Sequence, residues 1–187
     1  MKIKIPIKKF GDALTLILFA AIIILIFDGY EHSAKAVSNV HITEGDQWSY
    51  FTGTEEPPFQ WNYVDFNDSK WLKGRSGFGY GVGTYRTLLL DMKGHYQTVY
   101  VRRDFMINNP LNVTAITFSL ICNGPFVAYI NGREVIRNSE PVPIQLDLTG
   151  FAEVLHKGMN VLAVQCSNDD INSDKFNFTP FFDVLEQ

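Results

Sequence analysis

The chain lacks the residue patterns by which most enzymes can be recognised in sequence. Its four histidines (His32, His41, His95 and His156) stand in no motif, and His-Glu-x-x-His, Gly-x-Ser-x-Gly and Cys-x-x-Cys are all absent. His156 sits in Leu155-His-Lys-Gly158, a turn leading into a strand, and is read as solvated. Glycosidase chemistry needs a pair of carboxylates at a set separation in space, which sequence cannot measure. No catalytic residue is therefore expected. An excess of positive charge is missing too: 16 Lys and Arg face 20 Asp and Glu, for a net charge of −4. The six arginines are scattered, which argues against a nucleic-acid or anionic-lipid surface. Cysteine is scarce, with only Cys122 and Cys166. From Val37 onward, no stretch holds a helical period over three turns.

What is present begins with an apolar N-terminus. Lys2, Lys4, Lys8 and Lys9 precede the run from Ala13 to Phe27, in which Thr15 is the only polar residue. Those 15 residues are short for a membrane span of about 20, but suit the core of a signal peptide. Ala34-Lys-Ala36 supplies a small-x-small cleavage pattern, although the nine residues from Asp28 to Ala36 are long for that region. Residues 1–36 are thus expected to be a signal peptide or an uncleaved signal anchor holding the protein in the membrane by residues 13–27. The lysines stay inside and the rest is exported. The exported part carries 11 basic and 17 acidic residues, a net −6. It also holds both cysteines, in a compartment where a disulfide can form and persist.

The exported part reads as all-β, in short runs rich in Val, Ile, Thr, Tyr and Phe separated by Gly, Pro and Asn/Asp clusters. Val99, Val101 and Phe105 alternate with Thr98, Tyr100, Arg102 and Asp104, the pattern of a half-buried strand. Ile116, Phe118 and Leu120 alternate with Thr117 and Ser119, while Asn160 to Cys166 is apolar enough for a central strand covered on both faces. Asn131-Gly132 lies between two such runs, and a type I′ hairpin turn needs φ > 0 at both central residues. Long proline-containing loops, such as Asn138 to Gln145, suggest a two-sheet antiparallel jelly-roll sandwich in one domain over residues 40–185.

Five blocks in fixed order carry a family resemblance. They are Phe66-Asn-Asp-Ser-Lys-Trp71, Gly77-Phe-Gly-Tyr-Gly81, Thr98-Val-Tyr-Val-Arg-Arg-Asp-Phe105, Ala128-Tyr-Ile-Asn-Gly-Arg-Glu-Val135 and Gly158-Met-Asn-Val-Leu-Ala-Val-Gln165. Together they resemble the galactose-binding-domain-like jelly roll, a carbohydrate-binding-module-like fold found beside bacterial glycoside hydrolases and in bacterial surface proteins. The resemblance covers about residues 46–185. Ser167-Asn168, then Ser173-Asp174 and Phe176, match the family's variable loop and the entry to its last strand. Members often carry Asp-Asp-Gly in the turn before the hairpin. Here that turn is Cys122-Asn-Gly-Pro125, which removes the basis for a ligand or calcium role there.

Several residues invite a sharper reading. Tyr85-Arg86 offers a stacking face and a fork of donors for a sugar, although packing on a neighbouring loop is preferred. Asn168-Asp-Asp-Ile-Asn-Ser-Asp174 is the other long polar loop, so a ligand site is expected from Tyr85, Arg86, Asp169, Asp170 and Asn172. Asp170, Asn172 and Asp174 have the spacing of the first half of an EF-hand loop. Lys175 and Phe181 stand where its Gly and Glu belong, so a solvated acidic loop is favoured over a calcium site. Gly77, Gly79, Gly81 and Gly83 miss the phosphate-loop spacing and read as a tight crossover where backbone passes close to a ring. Trp48, Trp61 and Trp71 are assigned to packing. Arg103 falls on the apolar register, where its stem covers the sheet edge and its guanidinium pairs with an acid. Cys122 and Cys166 each end an apolar register and point at the core, either as a disulfide or as two buried thiols.

The function expected is that of a non-catalytic carbohydrate-binding or adhesion module of the cell envelope, extracytoplasmic, with a glycan or surface protein as partner. The alternative is a structural protein-interaction domain of a surface complex. No cofactor is expected beyond the calcium alternative, and no nucleic acid.

Overall fold

The computed structural model of the chain describes residues 38–139 and 142–187. The expected signal or anchor over 1–36 lies outside the described residues. Among the described residues, no helix is long and apolar enough to cross a membrane.

Twelve strands follow one another: β1 (Ser38–Ile42), β2 (Gln47–Thr52), β3 (Leu72–Arg75), β4 (Phe78–Tyr80), β5 (Thr87–Leu88), β6 (Thr98–Ile107), β7 (Val113–Cys122), β8 (Phe126–Ile130), β9 (Arg133–Asn138), β10 (Val142–Asp147), β11 (Gly158–Ser167) and β12 (Phe176–Glu186). They form two sheets. One runs β10-β7-β12-β4-β5, with β1 also paired to β12, and the other runs β3-β2-β6-β11-β8-β9. The helical content among the described residues is two short 3-10 segments, Pro110–Asn112 and Thr149–Val154. The architecture is an all-β sandwich.

The period-two reading of the core holds. Ile116, Phe118 and Leu120 are buried on β7 and face Val99, Val101, Phe105, Leu162 and Val164 of the other sheet in one cluster. The turn Asn131-Gly132 joins β8 to β9 with φ of 51° and 83°, as a type I′ hairpin requires. Asparagine there does more than tolerate the angle. Its Nδ2 donates to Val154 O and Asn160 Oδ1, and its Oδ1 accepts from Val161 N, tying the turn to β11. Cys122 and Cys166 lie buried on strands of opposite sheets, as their registers imply. Burial, then the neighbouring Cys122 thiol, pushes the Cys166 thiol well up.

Three details depart from the sequence reading. The proline-containing stretch from Asn138 to Gln145 is not all loop, because Val142–Asp147 pairs with β7 as an edge strand, where proline is tolerated. The sandwich is antiparallel except where β4 and β5 pair in parallel over two residues each. The largest difference concerns β6. Its apparently solvent-facing positions Tyr100 and Arg102 are each 2% exposed, because a third layer covers the outer face of the second sheet.

His41 on β1 hydrogen-bonds Asp183 on β12, its register partner. That bond, then the carboxylate's charge, raises the imidazole above its ordinary value of about 6.5. A raised folded-state value stabilises fully below the unfolded value, and the contribution is lost as pH rises through the folded one. In an NMR titration, His41 should therefore stay charged to higher pH than free histidine, and Asp183→Asn should return it to the ordinary value. An unshifted His41 in the native protein would refute the pair.

Candidate functional site

The third layer is the segment between β2 and β3. Pro57 and Pro58 open it, and turns close it through Trp61 N to Pro58 O (2.9 Å), Tyr63 N to Gln60 O (3.0 Å) and Trp71 N to Asp68 O (2.9 Å). Its rings then settle on the sheet. Trp61 meets Tyr100 edge-on at 5.1 Å and Tyr129 edge-on at 5.7 Å, and stacks with Trp71 at 6.0 Å. All three tryptophans are buried, as their assignment to packing requires, but Trp61 and Trp71 belong to this outer cluster and only Trp48 to the sandwich core.

Arg102 fastens the layer from below. Its Nη1 donates to Phe66 O at 3.0 Å and its Nη2 to Tyr63 O at 3.1 Å, while its guanidinium lies 5.2 Å from the Phe66 ring centre. Asp68 and Asp104 supply charge at 3.5 and 3.8 Å. Burial lowers the Arg102 value, and these carboxylates with Asp65 oppose that. Arg103 behaves as its register implies, pairing with Asp46 at 3.4 Å. A polar hollow of about 310 Å³ beside them, lined by Ser49, Lys73 and Asp104 among others, is crossed by these ion pairs.

Above the layer opens a second hollow, of about 470 Å³, within the size range of small-ligand sites. Phe59 forms its rim at 87% exposure and Tyr63 stands 40% exposed, while Trp61 and Tyr129 make the floor. Gly132 of the hairpin turn lies under the Tyr63 ring, since a Cβ there would sit 2.9 Å from it. Two acceptors line the wall. Asn62 is buried and its Oδ1 has no hydrogen-bond partner. Glu56 is fixed by the Tyr100 hydroxyl, which donates to Oε2 at 2.8 Å. Burial and then that carboxylate push the Tyr100 phenol upward, so it stays a donor. The sequence reading assigned Trp61 to packing, which its burial bears out, and gave no site role to Phe59 or Tyr63.

The residues expected to form a site are each held by local partners. Tyr85 lies over Gly79 and Gly83 and donates to Val82 O at 2.9 Å. Arg86 stands 3.7 Å from Glu44, and no hydrogen bond or ion pair among the described residues links it to Asp169, Asp170 or Asn172. Asp169 lies beside Gly124, and Ser167 N donates to Pro125 O at 2.9 Å, so the 123–125 turn does border the later loop. Asp170 Oδ1 accepts from Asn172 N at 2.8 Å, and Asp174 is paired with Lys93. Among the described residues no three His, Cys, Asp or Glu side chains converge as metal ligands.

No family model and no curated protein matches this sequence. Solved structures do match. A β-glucuronidase from Bacteroides uniformis aligns at 21% identity with a TM-score of 0.57, over 79% of this chain and 18% of its own. A glycoside hydrolase family 2 member from Bacteroides cellulosilyticus aligns at 16% identity and 0.56, over 79% and 20%. A β-glucuronidase from an uncultured Clostridium species aligns at 15% identity and 0.52, over 81% and 29%. What the chain shares with them is the β-sandwich. It spans 18–29% of the length of these enzymes. That agrees with the resemblance to a domain found beside glycoside hydrolases, and at these identities it speaks for the fold alone.

Proposed function

We propose that the protein is a non-catalytic carbohydrate-binding or adhesion module of the cell envelope, exported and tethered or released through residues 1–36. The observation that carries this reading is the hollow on the outer face of the second sheet. It joins an exposed ring, Phe59, to a half-exposed one, Tyr63, and to two fixed acceptors, Glu56 and Asn62. A sugar presents apolar C–H faces and hydroxyl edges, so flat rings beside fixed polar groups suit it. The match to a small share of larger glycosidases supports an accessory role over a catalytic one.

One observation favours a protein-interaction domain instead. β5 ends the first sheet, and Leu88 and Leu90 stand 59% and 77% exposed there. A glycan array probed with the full chain, held in a detergent without a sugar headgroup, separates the two. Binding to a glycan without its hydrolysis is expected, and failure to bind any glycan would transfer the case to the interaction reading.

A further inference from the structure

Among the residues that line the outer hollow only Glu56 carries a charge, while the other polar side chains, Asn62, Tyr63 and Tyr129, are neutral, and this restricts what can enter it. Asn62 Oδ1 is buried and takes no hydrogen bond, which is costly unless something else supplies a donor. Glu56 uses one oxygen for the Tyr100 hydroxyl, and its Oε1 takes no hydrogen bond from the described residues. Both are acceptors, and Glu56 is charged. No lysine or arginine lines the hollow. Arg137 lies beside the Tyr129 hydroxyl, but its charge is already met by Glu134, which accepts from Nε at 3.0 Å and from Nη2 at 2.8 Å.

We infer that the hollow selects sugars whose edge presents hydroxyl or ammonium donors and rejects sugars bearing a carboxylate. A carboxylate brings only acceptors, and at this wall it would meet an acceptor it cannot satisfy and a like charge. A hydroxyl donates to Asn62 Oδ1 and to Glu56, with the ring's C–H face against Phe59 and Tyr63. The inference rests on the reading of the hollow as a glycan site and adds the chemical class.

The test compares glycans of matched linkage ending in a neutral hexose, an amino hexose or a uronate, on the full chain and on Phe59→Ala, Asn62→Leu and Glu56→Gln. Neutral or amino ends should bind about tenfold or more tightly than the uronate. Phe59→Ala, at a rim position where folding is not at stake, and Asn62→Leu should each weaken neutral binding by about tenfold. Glu56→Gln should narrow the gap to the uronate. Equal or tighter uronate binding, with the rim variants still weakened, would overturn the inference and leave the glycan reading standing. Unchanged binding in Phe59→Ala and Asn62→Leu would place the site elsewhere and overturn it too. Binding to none of the glycans would remove the reading and the inference together.

Discussion

Replacing Arg102 with alanine is expected to lower stability by about 3–5 kcal/mol, the range for removing one partner of a buried charged network. The estimate follows from what the side chain leaves behind. Two backbone carbonyls, of Tyr63 and Phe66, lose their donors, and Asp68 and Asp104 lose the cation that offsets their repulsion. Arg102→Lys should recover little, because an ammonium cannot fork to two carbonyls while facing two carboxylates. Arg102→Met keeps the apolar stem under Phe66 and separates lost packing from lost charge. Urea unfolding read by tryptophan fluorescence measures the effect, and two of the reporters, Trp61 and Trp71, sit in the layer that Arg102 fastens. A loss under about 1 kcal/mol in Arg102→Ala would mean that the layer holds itself in place by its rings alone. The same variant should also loosen the outer hollow, whose wall hangs from the Tyr63 backbone.

Arg102 also marks where sequence reading succeeds and where it stops. Alternation along β6 correctly separated the two faces of the strand, because side chains at i and i+2 share a face whatever lies opposite. It could not tell that the polar-looking face is covered. Tyr100 and Arg102 have ends that water or a protein layer can satisfy equally well, so their identity does not choose between the two. The cover comes from residues 53–71, whose hydrogen bonds to Tyr100 and Arg102 span 36 to 44 positions of the chain, and only the fold brings it there. The hairpin at Asn131-Gly132 was legible because a local backbone angle dictates it. Asp169, Asp170 and Asn172 are exposed, as a polar loop implies, and Tyr85 packs over the glycine run, as was preferred for it, but composition carries no distances. Arg86 turns to Glu44 because its backbone N–H donates to Gly77 O at 2.8 Å, beside the turn that carries Glu44. The hollow was hidden for the opposite reason. Large rings are buried more often than displayed, so an exposed ring and a half-exposed one above a buried one look like core in a sequence.

Gly79→Ala is expected to cost about 3 kcal/mol, at the upper end for overpacking a well-ordered site. A Cβ at Gly79 would lie 2.2 Å from the Phe176 carbonyl oxygen and 2.4 Å from the Tyr85 ring. Neither neighbour can step aside cheaply. Phe176 O belongs to backbone that pairs β12 with β4 in register, Asn177 opposite Gly79. Tyr85 is held by its hydroxyl to Val82 O, and its ring closes the loop back toward β5. Relief therefore requires β4 to peel from β12 or Tyr85 to swing into solvent. The second outcome is the milder one and would appear as a Tyr85 resonance shifted toward free tyrosine. This explains the glycine run in physical terms: at position 79 the chain needs the absence of a side chain, whereas Gly81 and Gly83 are also set by positive φ of 87° and 146°. Gly150→Ala is the control, since nothing lies within 4 Å of its Cβ position. That variant should be neutral within about 0.5 kcal/mol, or slightly stabilising through the unfolded chain. Thermal or urea midpoints of the pair decide the matter: a Gly79→Ala protein as stable as Gly150→Ala would show that the Tyr85 contact yields freely, and with it that the 81–86 loop has room to move.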